Sequence, residues 1–382
     1  MAADDLLIFA DKTECADLRY ALGMLASEPL VYLRLKGRGY VLLGDSDLDR
    51  GRQQARHCRV LSLSRYLRGG EAGDASQPAT FAAAIHRLTS EKGARRLLVP
   101  SGFPLGLARE LRRLKIRVKP RGGEFFFPER EIKSAIEVEM IRAALVMGEV
   151  GMAEAIHALR NSKISPRGLL TYRGSPLTSE KLRSIMQVAV FQAGGTVSRA
   201  VVAGGQHSAA PQEPSAGPLH AHQPILLGIA PRSNKTGYHG EITRTVVRGR
   251  ASDVVRDMNA ALGRAQEAAL GLAREGARAA AIYRAIRSQL AHEGFRGGRS
   301  GGTLHGLCHA AGQGIGQGIG LDLDEPPRLS ATSRAVLRSG HVLSVGPGLF
   351  YPEAGAVRIT DLLVVTRNGA RNLTQFERVL EV

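Results

Sequence analysis

The chain has 382 residues, 43% of them hydrophobic and 23% charged, which exceeds one ordinary core and suits two globular domains. Its 52 Lys+Arg against 35 Asp+Glu leave a net charge of +17, which draws polyanions at long range but says nothing about fold. No apolar run reaches the ~18 residues of a membrane-spanning helix, and the first residues carry Asp4 and Asp5 without a basic cluster, against a secretory signal. In chain order, Leu6–Phe9, Leu30–Leu35, Tyr40–Leu43, Val60–Leu63 and Leu97–Val99 read as strands, being short, apolar and bounded by polar or glycine residues. Ala82–Leu88 and Leu105–Leu114 between them read as helices, giving an α/β domain over 1–122. Arg121-Gly122-Gly123, with Pro128 beyond, reads as a hinge into a second domain over 123–382.

The second domain opens on a helical pattern in which Ile132, Ile136, Met140, Ala143 and Met147 define the expected inner face. Ser179 to Val190 predicts a second helix, with Leu182, Ile185, Met186 and Ala189 inward. Ser252 is the expected N-cap of a third, running to about Glu275 with Gly276 as its stop, and Ala279 to Leu290 predicts a fourth. Strands are expected at Val197–Ala203, Pro224–Ile229, Thr243–Val247, Val342–Val345 and Val357–Val365, so this part is α+β.

Cys15, Cys58 and Cys308 are odd in number and far apart, without metal-site spacing, which favours no disulfide framework and a cytoplasmic setting. The cations are spread along the chain rather than blocked. Zinc-finger spacing and an aromatic RNA-binding signature are both missing, so nucleic acid is the lesser expectation among partners. Gly312–Gly320 lacks the Lys-Ser/Thr that a phosphate-binding P-loop requires. Ser208 has no triad context, and Cys308 beside His309 would face opposite sides of a strand.

One group of segments is more telling. Phe125-Phe126-Phe127-Pro128-Glu129-Arg130-Glu131-Ile132-Lys133-Ser134 and the stretches around 228, 241, 317, 346 and 360 resemble the creatinase, aminopeptidase P and prolidase family. The resemblance runs nearly the whole length. It implies a creatinase-type α/β N-terminal domain followed by an α+β pita-bread domain. Active members of that family hold two divalent metals with two aspartates, one histidine and two glutamates, which clamp the attacking water and the scissile carbonyl.

Residue by residue, the frame is present and the ligands are not. The first aspartate position falls on Gly228 within Ile225-Leu226-Leu227-Gly228-Ile229-Ala230-Pro231-Arg232. The second falls on Glu241 before Ile242-Thr243-Arg244-Thr245, and the longer side chain shifts its oxygens by about a bond length, ~1.5 Å. The histidine position is Gln317 in Gly314-Ile315-Gly316-Gln317-Gly318-Ile319-Gly320-Leu321, and the substrate-facing histidine of the following His-Glu-Pro motif is Asp324. The two glutamates are replaced by Gly346 and Thr360, and the upstream Pro-His pair by Pro211-Gln212. A single carboxylate does not balance two dications.

The resemblance therefore implies a catalytically inactive member with no metal or other cofactor, binding a peptide, small ligand or partner, as a homodimer or a heterodimer with an active relative. His239, Arg244, Glu325, Arg358 and Asp361 are the candidate cleft residues. The alternatives are a remodelled C–N hydrolase using Glu241, Asp324, Glu325, Arg244 or Arg358, and a substitute metal site from Glu241, His239 and Asp361. Creatinase, which works without metal, needs the histidine that is Gln212 here, and glutamine does not titrate.

Overall fold

The computed structural model describes residues 4–10, 15–24, 28–67, 78–205, 208, 215–300, 303–307, 314–351 and 353–382, with the backbone path alone at 298–300 and 303–307. The chain divides into two compact units, Met1–Arg130 and Glu131–Val382. The division falls after the Phe125-Phe126-Phe127 run, because Phe126 and Phe127 pack into the first unit's core beside Leu6, Ile8 and Tyr32.

The first unit is a six-stranded sheet of β1 (Leu6–Ala10), β2 (Leu30–Leu35), β3 (Arg38–Leu43), β4 (Cys58–Ser62), β5 (Arg96–Val99) and β6 (Arg117–Pro120), in the order β4-β3-β2-β1-β5-β6. β2 runs antiparallel to β1 and β3, while the β3–β4, β1–β5 and β5–β6 pairs are parallel. Helices α1 (Ala16–Leu22), α2 (Leu48–Gln54), α3 (Leu63–Leu67), α4 (Pro78–Lys92) and α5 (Leu105–Arg113) connect them. Alternate strand residues feed two cores: Leu7, Leu33, Leu97 and Val118 pack with α4 and α5, and Leu6, Ile8, Tyr32 and Val41 pack with α1. Two-sided burial explains why these strands are apolar runs rather than alternating patterns.

The second unit begins with α6 (Ala135–Arg160), then β7 (Lys163–Ile164), β8 (Leu170–Tyr172), β9 (Ser175–Pro176) and α7 (Ser179–Gln192). β10 (Gly195–Gly204), β11 (Pro224–Ser233) and β12 (Ile242–Val247) form one antiparallel sheet, followed by α8 (Asp253–Leu272) and α9 (Ala279–His292). The remaining strands are β13 (Gly298–Ser300), β14 (Thr303–Leu307), β15 (Gly316–Gly318), β16 (Glu325–Arg328), β17 (Val342–Val345), β18 (Gly348–Tyr351), β19 (Gly355–Arg358), β20 (Asp361–Val365) and β21 (Ala370–Asn372). They form the sheets β13-β14-β18-β19 and β16-β15-β17-β20-β21.

Helix α6 starts three residues later than Ile132, because Ser134 and Glu137 close a capping box that fixes the first turn, a cap worth about 1 kcal/mol. Its inner face is Val138, Ile141, Ala144, Leu145, Gly148 and Met152, not the row through Ile136, which is 70% exposed. The expected face was off by one or two positions because apolar residues continue around this helix. The decisive signal is small: a Cβ on Gly240 would stand 2.5 Å from the Leu145 backbone, so the loop before β12 lies directly on α6. Helix α8 is capped by Ser252 as expected but ends at Leu272, where Ala273 turns extended. The expected strand Val357–Val365 is two strands in different sheets, broken at Ile359-Thr360. No helix among the described residues is long and apolar enough to cross a membrane.

Candidate functional site

Strand pairing gathers the positions that the family resemblance assigns to metal ligands. Gly228 on β11 lies opposite Val201 of β10 and Thr243 of β12. Glu241 immediately precedes β12. Gln317 on β15 lies opposite Ser344 of β17, and Val345 lies opposite Asp361 of β20. Thr243 and Thr360 form a bridge between the sheets, Thr360 N donating to Thr243 O at 3.0 Å.

Glu241 is 4% exposed, and both its carboxylate oxygens are in use. Oε1 accepts from an Arg199 guanidinium nitrogen. Oε2 accepts from Ser344 Oγ at 2.6 Å and stands 3.5 Å from Gln317 Nε2. The buried negative charge is thus balanced by a side-chain cation, with two neutral donors completing its shell. Arg199 reaches it from β10, where a bulge between Val197 and Arg199 shifts the register.

The other positions supply no charge. A Cβ on Gly346 would lie 2.4 Å from Thr360 Oγ1 and 3.0 Å from an Arg358 guanidinium nitrogen, so the volume next to it is filled. A Cβ on Gly228 would meet Thr243 Oγ1 at 3.3 Å. Thr360 Oγ1 is buried and has no hydrogen-bond partner among the described residues. Gly316 and Gly318 flank Gln317 where a Cβ would strike Ser344 O at 2.3 Å and Pro326 O at 2.2 Å, so these glycines serve close backbone packing.

The candidate cleft residues separate into distinct networks. His239 is buried: Nδ1 lies 3.3 Å from Gly320 O and Nε2 lies 3.0 Å from Ser198 Oγ. A carbonyl only accepts, so Nδ1 carries the proton and Nε2 accepts from the serine. Burial, aided by Arg232, holds its pKa below the usual histidine value against the opposing pull of the Gly320 hydrogen bond.

Arg244 and Asp361 are spent on each other and on the backbone. Arg244 Nη2 lies 2.8 Å from Asp361 Oδ1, and its remaining donors reach Thr243 O, Thr360 O, Phe376 O and Glu377 O. Arg378 Nη2 and Asn372 Nδ2 hold Asp361 Oδ2 at 2.6 and 3.2 Å. Burial lowers the Arg244 pKa, with Asp361 pulling it back up. Glu325 is 1% exposed and pairs with buried Lys133 at 2.7 Å, while Oε1 accepts Asp322 N at 3.0 Å. Arg358 Nε donates to Gly346 O at 3.2 Å. Asp324 is exposed.

Arg244, Asp361 and Glu325 are therefore parts of buried ion pairs, which changes their expected place in an open cleft. Gln212, with Pro211, Cys308, His309 and Gly312, lies outside the described residues. Arg199, Ser198, Ser344 and Lys133 were not foreseen. No spacing in the sequence signals that Arg199 reaches Glu241, 42 positions away.

The comparisons place this geometry. The metallopeptidase family M24 model matches residues 139–367, and the chain belongs to that family. An Xaa-Pro dipeptidase of Pyrococcus horikoshii is 26% identical over 290 residues, 76% of each protein. The solved X-Pro aminopeptidase of Thermotoga maritima superposes with a TM-score of 0.80 at 20% identity, covering 99% of this chain and 97% of that one. An Xaa-Pro dipeptidase of Bacillus anthracis gives 0.79 at 20%, covering 99% and 95%. The architecture is thus an α/β N-terminal domain with a pita-bread domain after it, as the family resemblance implied.

A metallopeptidase family implies a metal, and the residues present do not fit one. The five ligand positions hold one carboxylate, already neutralised by a guanidinium, beside an amide, a hydroxyl and two glycines. Among the described residues no group of three or more His, Cys, Asp or Glu is placed to hold an ion. His239 turns to Ser198 and Asp361 to Arg244 and Arg378, so neither joins Glu241 in a substitute site.

Proposed function

We propose that this chain is a non-catalytic M24 protein that keeps the pita-bread scaffold as a binding module. The carrying observation is Glu241: the one ligand carboxylate left is buried against Arg199, Ser344 and Gln317. A guanidinium supplies the positive charge that a cation would otherwise supply, but it neither polarises a bound water nor offers an open coordination position. No other group in the network substitutes as base. His239 is tied at both nitrogens, Glu325 is paired with Lys133, and Arg244 is held by Asp361.

The relatives' names, Xaa-Pro dipeptidase and X-Pro aminopeptidase, suggest short proline-containing peptides as the ligand class. A homodimer, or a heterodimer with an active M24 protein, is the proposed assembly. The test is an assay of Xaa-Pro dipeptides and tripeptides with manganese, cobalt or zinc added, alongside calorimetric binding of the same peptides. The expected result is peptide binding without turnover. Metal-stimulated hydrolysis by the purified chain, lost in Glu241→Gln, refutes the proposal. So does metal-independent hydrolysis, which belongs to a remodelled hydrolase.

A further inference from the structure

The sequence scatters its cations, but the first unit's topology collects them. β1, β3, β5 and β6 all begin, and β2 ends, at one end of the sheet. Arg38 opens β3, Arg96 opens β5 and Arg117 opens β6, with Arg96 and Arg117 directly opposite each other. Lys36 turns β2 into β3, Arg95 leads into β5, and Lys115 leads into β6. All six are exposed, and none forms an ion pair with a described carboxylate. The segment from Arg95 to Arg117 holds seven cationic residues and one acidic one, Glu110, a net +6.

Two features argue that this rim is more than composition. Like charges directly opposite on paired strands repel, and Arg96 and Arg117 are so placed. Lys36 and Lys115 both sit at positive φ, 50° and 62°, where glycine or asparagine is less strained and a lysine costs about 1 kcal/mol. Both costs fall on residues that place an ammonium or guanidinium at the same edge. Among the described residues, the carboxylates brought to this end are Asp4, Asp5 and Glu91. Asp5 accepts the Lys36 backbone N–H at 2.7 Å, and Glu91 accepts the Tyr66 hydroxyl at 3.1 Å.

We infer that this rim is a docking surface for the phosphate backbone of a nucleic acid. From β3 to β6 the row crosses four strand intervals of about 4.8 Å, on the order of 19 Å, enough to face several successive phosphates. Arginine forks suit phosphate oxygens bidentately. A membrane surface would also need an apolar anchor, and among the described residues along this rim the exposed large hydrophobic residue is Leu114 at 36%. The inference concerns the first unit and stands apart from the reading of Glu241.

The test is fluorescence anisotropy of the full chain with a labelled DNA duplex and an RNA strand of about 20 nucleotides, from about 50 to 200 mM salt. Binding is expected to fall log-linearly with salt, by a slope of about −0.9 per phosphate contact. Arg96→Glu with Arg117→Glu is expected to weaken binding at least about tenfold and make the slope shallower by about 2. Arg167→Glu with Arg367→Glu, exposed in the second unit and equal in charge change, is expected to shift affinity by less than about twofold. Lys36→Gln with Arg38→Gln supplies a second rim variant should the first unfold. Equal losses in rim and control variants, no binding at the lowest salt, or retention on phosphatidylserine vesicles without nucleic-acid binding would each overturn the inference.

Discussion

Arg199→Ala removes the cation from Glu241 and leaves a carboxylate that is 4% exposed with only Ser344 and Gln317 as donors. Stripping one partner from a fully buried ion pair costs about 3–5 kcal/mol. Arg199 itself is 46% exposed at the side chain, so solvent already screens the pair and the cost is discounted to about 2 kcal/mol. In a unit of this size that is a melting-point drop of about 4–8 °C. Glu241→Gln is the informative partner. It removes the charge, keeps the shape, and leaves behind an arginine that water can solvate, so it is expected to cost less than about 1 kcal/mol. The double variant should then lie close to Glu241→Gln alone. The assay is thermal unfolding by circular dichroism of the four proteins. A Glu241→Gln variant as damaged as Arg199→Ala would show that the guanidinium is not the counter-charge of this carboxylate.

Further predictions follow from the same networks. Asp361→Asn strands Arg244, whose side chain is 3% exposed, and is expected to cost about 3–5 kcal/mol, whereas Glu381→Gln at the exposed, solvent-screened Arg256 pair should leave the melting point almost unchanged in the same unfolding assay. Gly346→Ala drives a Cβ to 2.4 Å from Thr360 Oγ1 and should destabilise by about 1–3 kcal/mol, while Gly228→Ala, at 3.3 Å from Thr243, should cost less, as read from chemical denaturation. His341 is fully buried, accepts Arg338 N at Nδ1 and lies 3.2 Å from Glu131 at Nε2. Burial pushes its pKa down to about 4 against the pull of Glu131. Because the unfolded state takes up a proton near pH 6.5 and the folded state does not until about pH 4, this group's contribution is intact above pH 6.5 and is lost as pH falls. The loss by pH 5 is about 2 kcal/mol, and a pH series of unfolding on His341→Gln should be flatter across that window.

The fold was legible because its frame is written in backbone-determining residues. The apolar strands of the first unit, the Ser252 cap and the glycines around Gln317 each follow from local chemistry. At the positions that the family resemblance assigns to ligands, the sequence itself shows that Gly228 and Gly346 have no side-chain donor at all. What replaced them was not legible. Arg199 lies 42 positions from Glu241, and its arrival depends on a bulge in β10 that no spacing rule announces. Arg244 and Asp361 were read as cleft residues because polar side chains near a ligand motif suggest chemistry. In the fold they lie on β12 and β20, strands of two sheets joined at the Thr243–Thr360 bridge, and they are dehydrated and paired. The inner face of α6 was misplaced because the tight approach of Gly240 to Leu145, rather than helical periodicity alone, sets which side faces the sheet. The charge rim is likewise a product of topology: Lys36 and Lys115 are far apart in sequence and share one edge of the sheet only because β2 ends at the end where β6 begins.

The most direct test of the central claim is metal stoichiometry. The purified chain is incubated with manganese, zinc, cobalt and iron, desalted, and measured by elemental mass spectrometry. No ion is expected to be retained in proportion to protein, for wild type and Glu241→Gln alike. About two equivalents per chain, as a two-metal centre requires, abolished by Glu241→Gln, would contradict it.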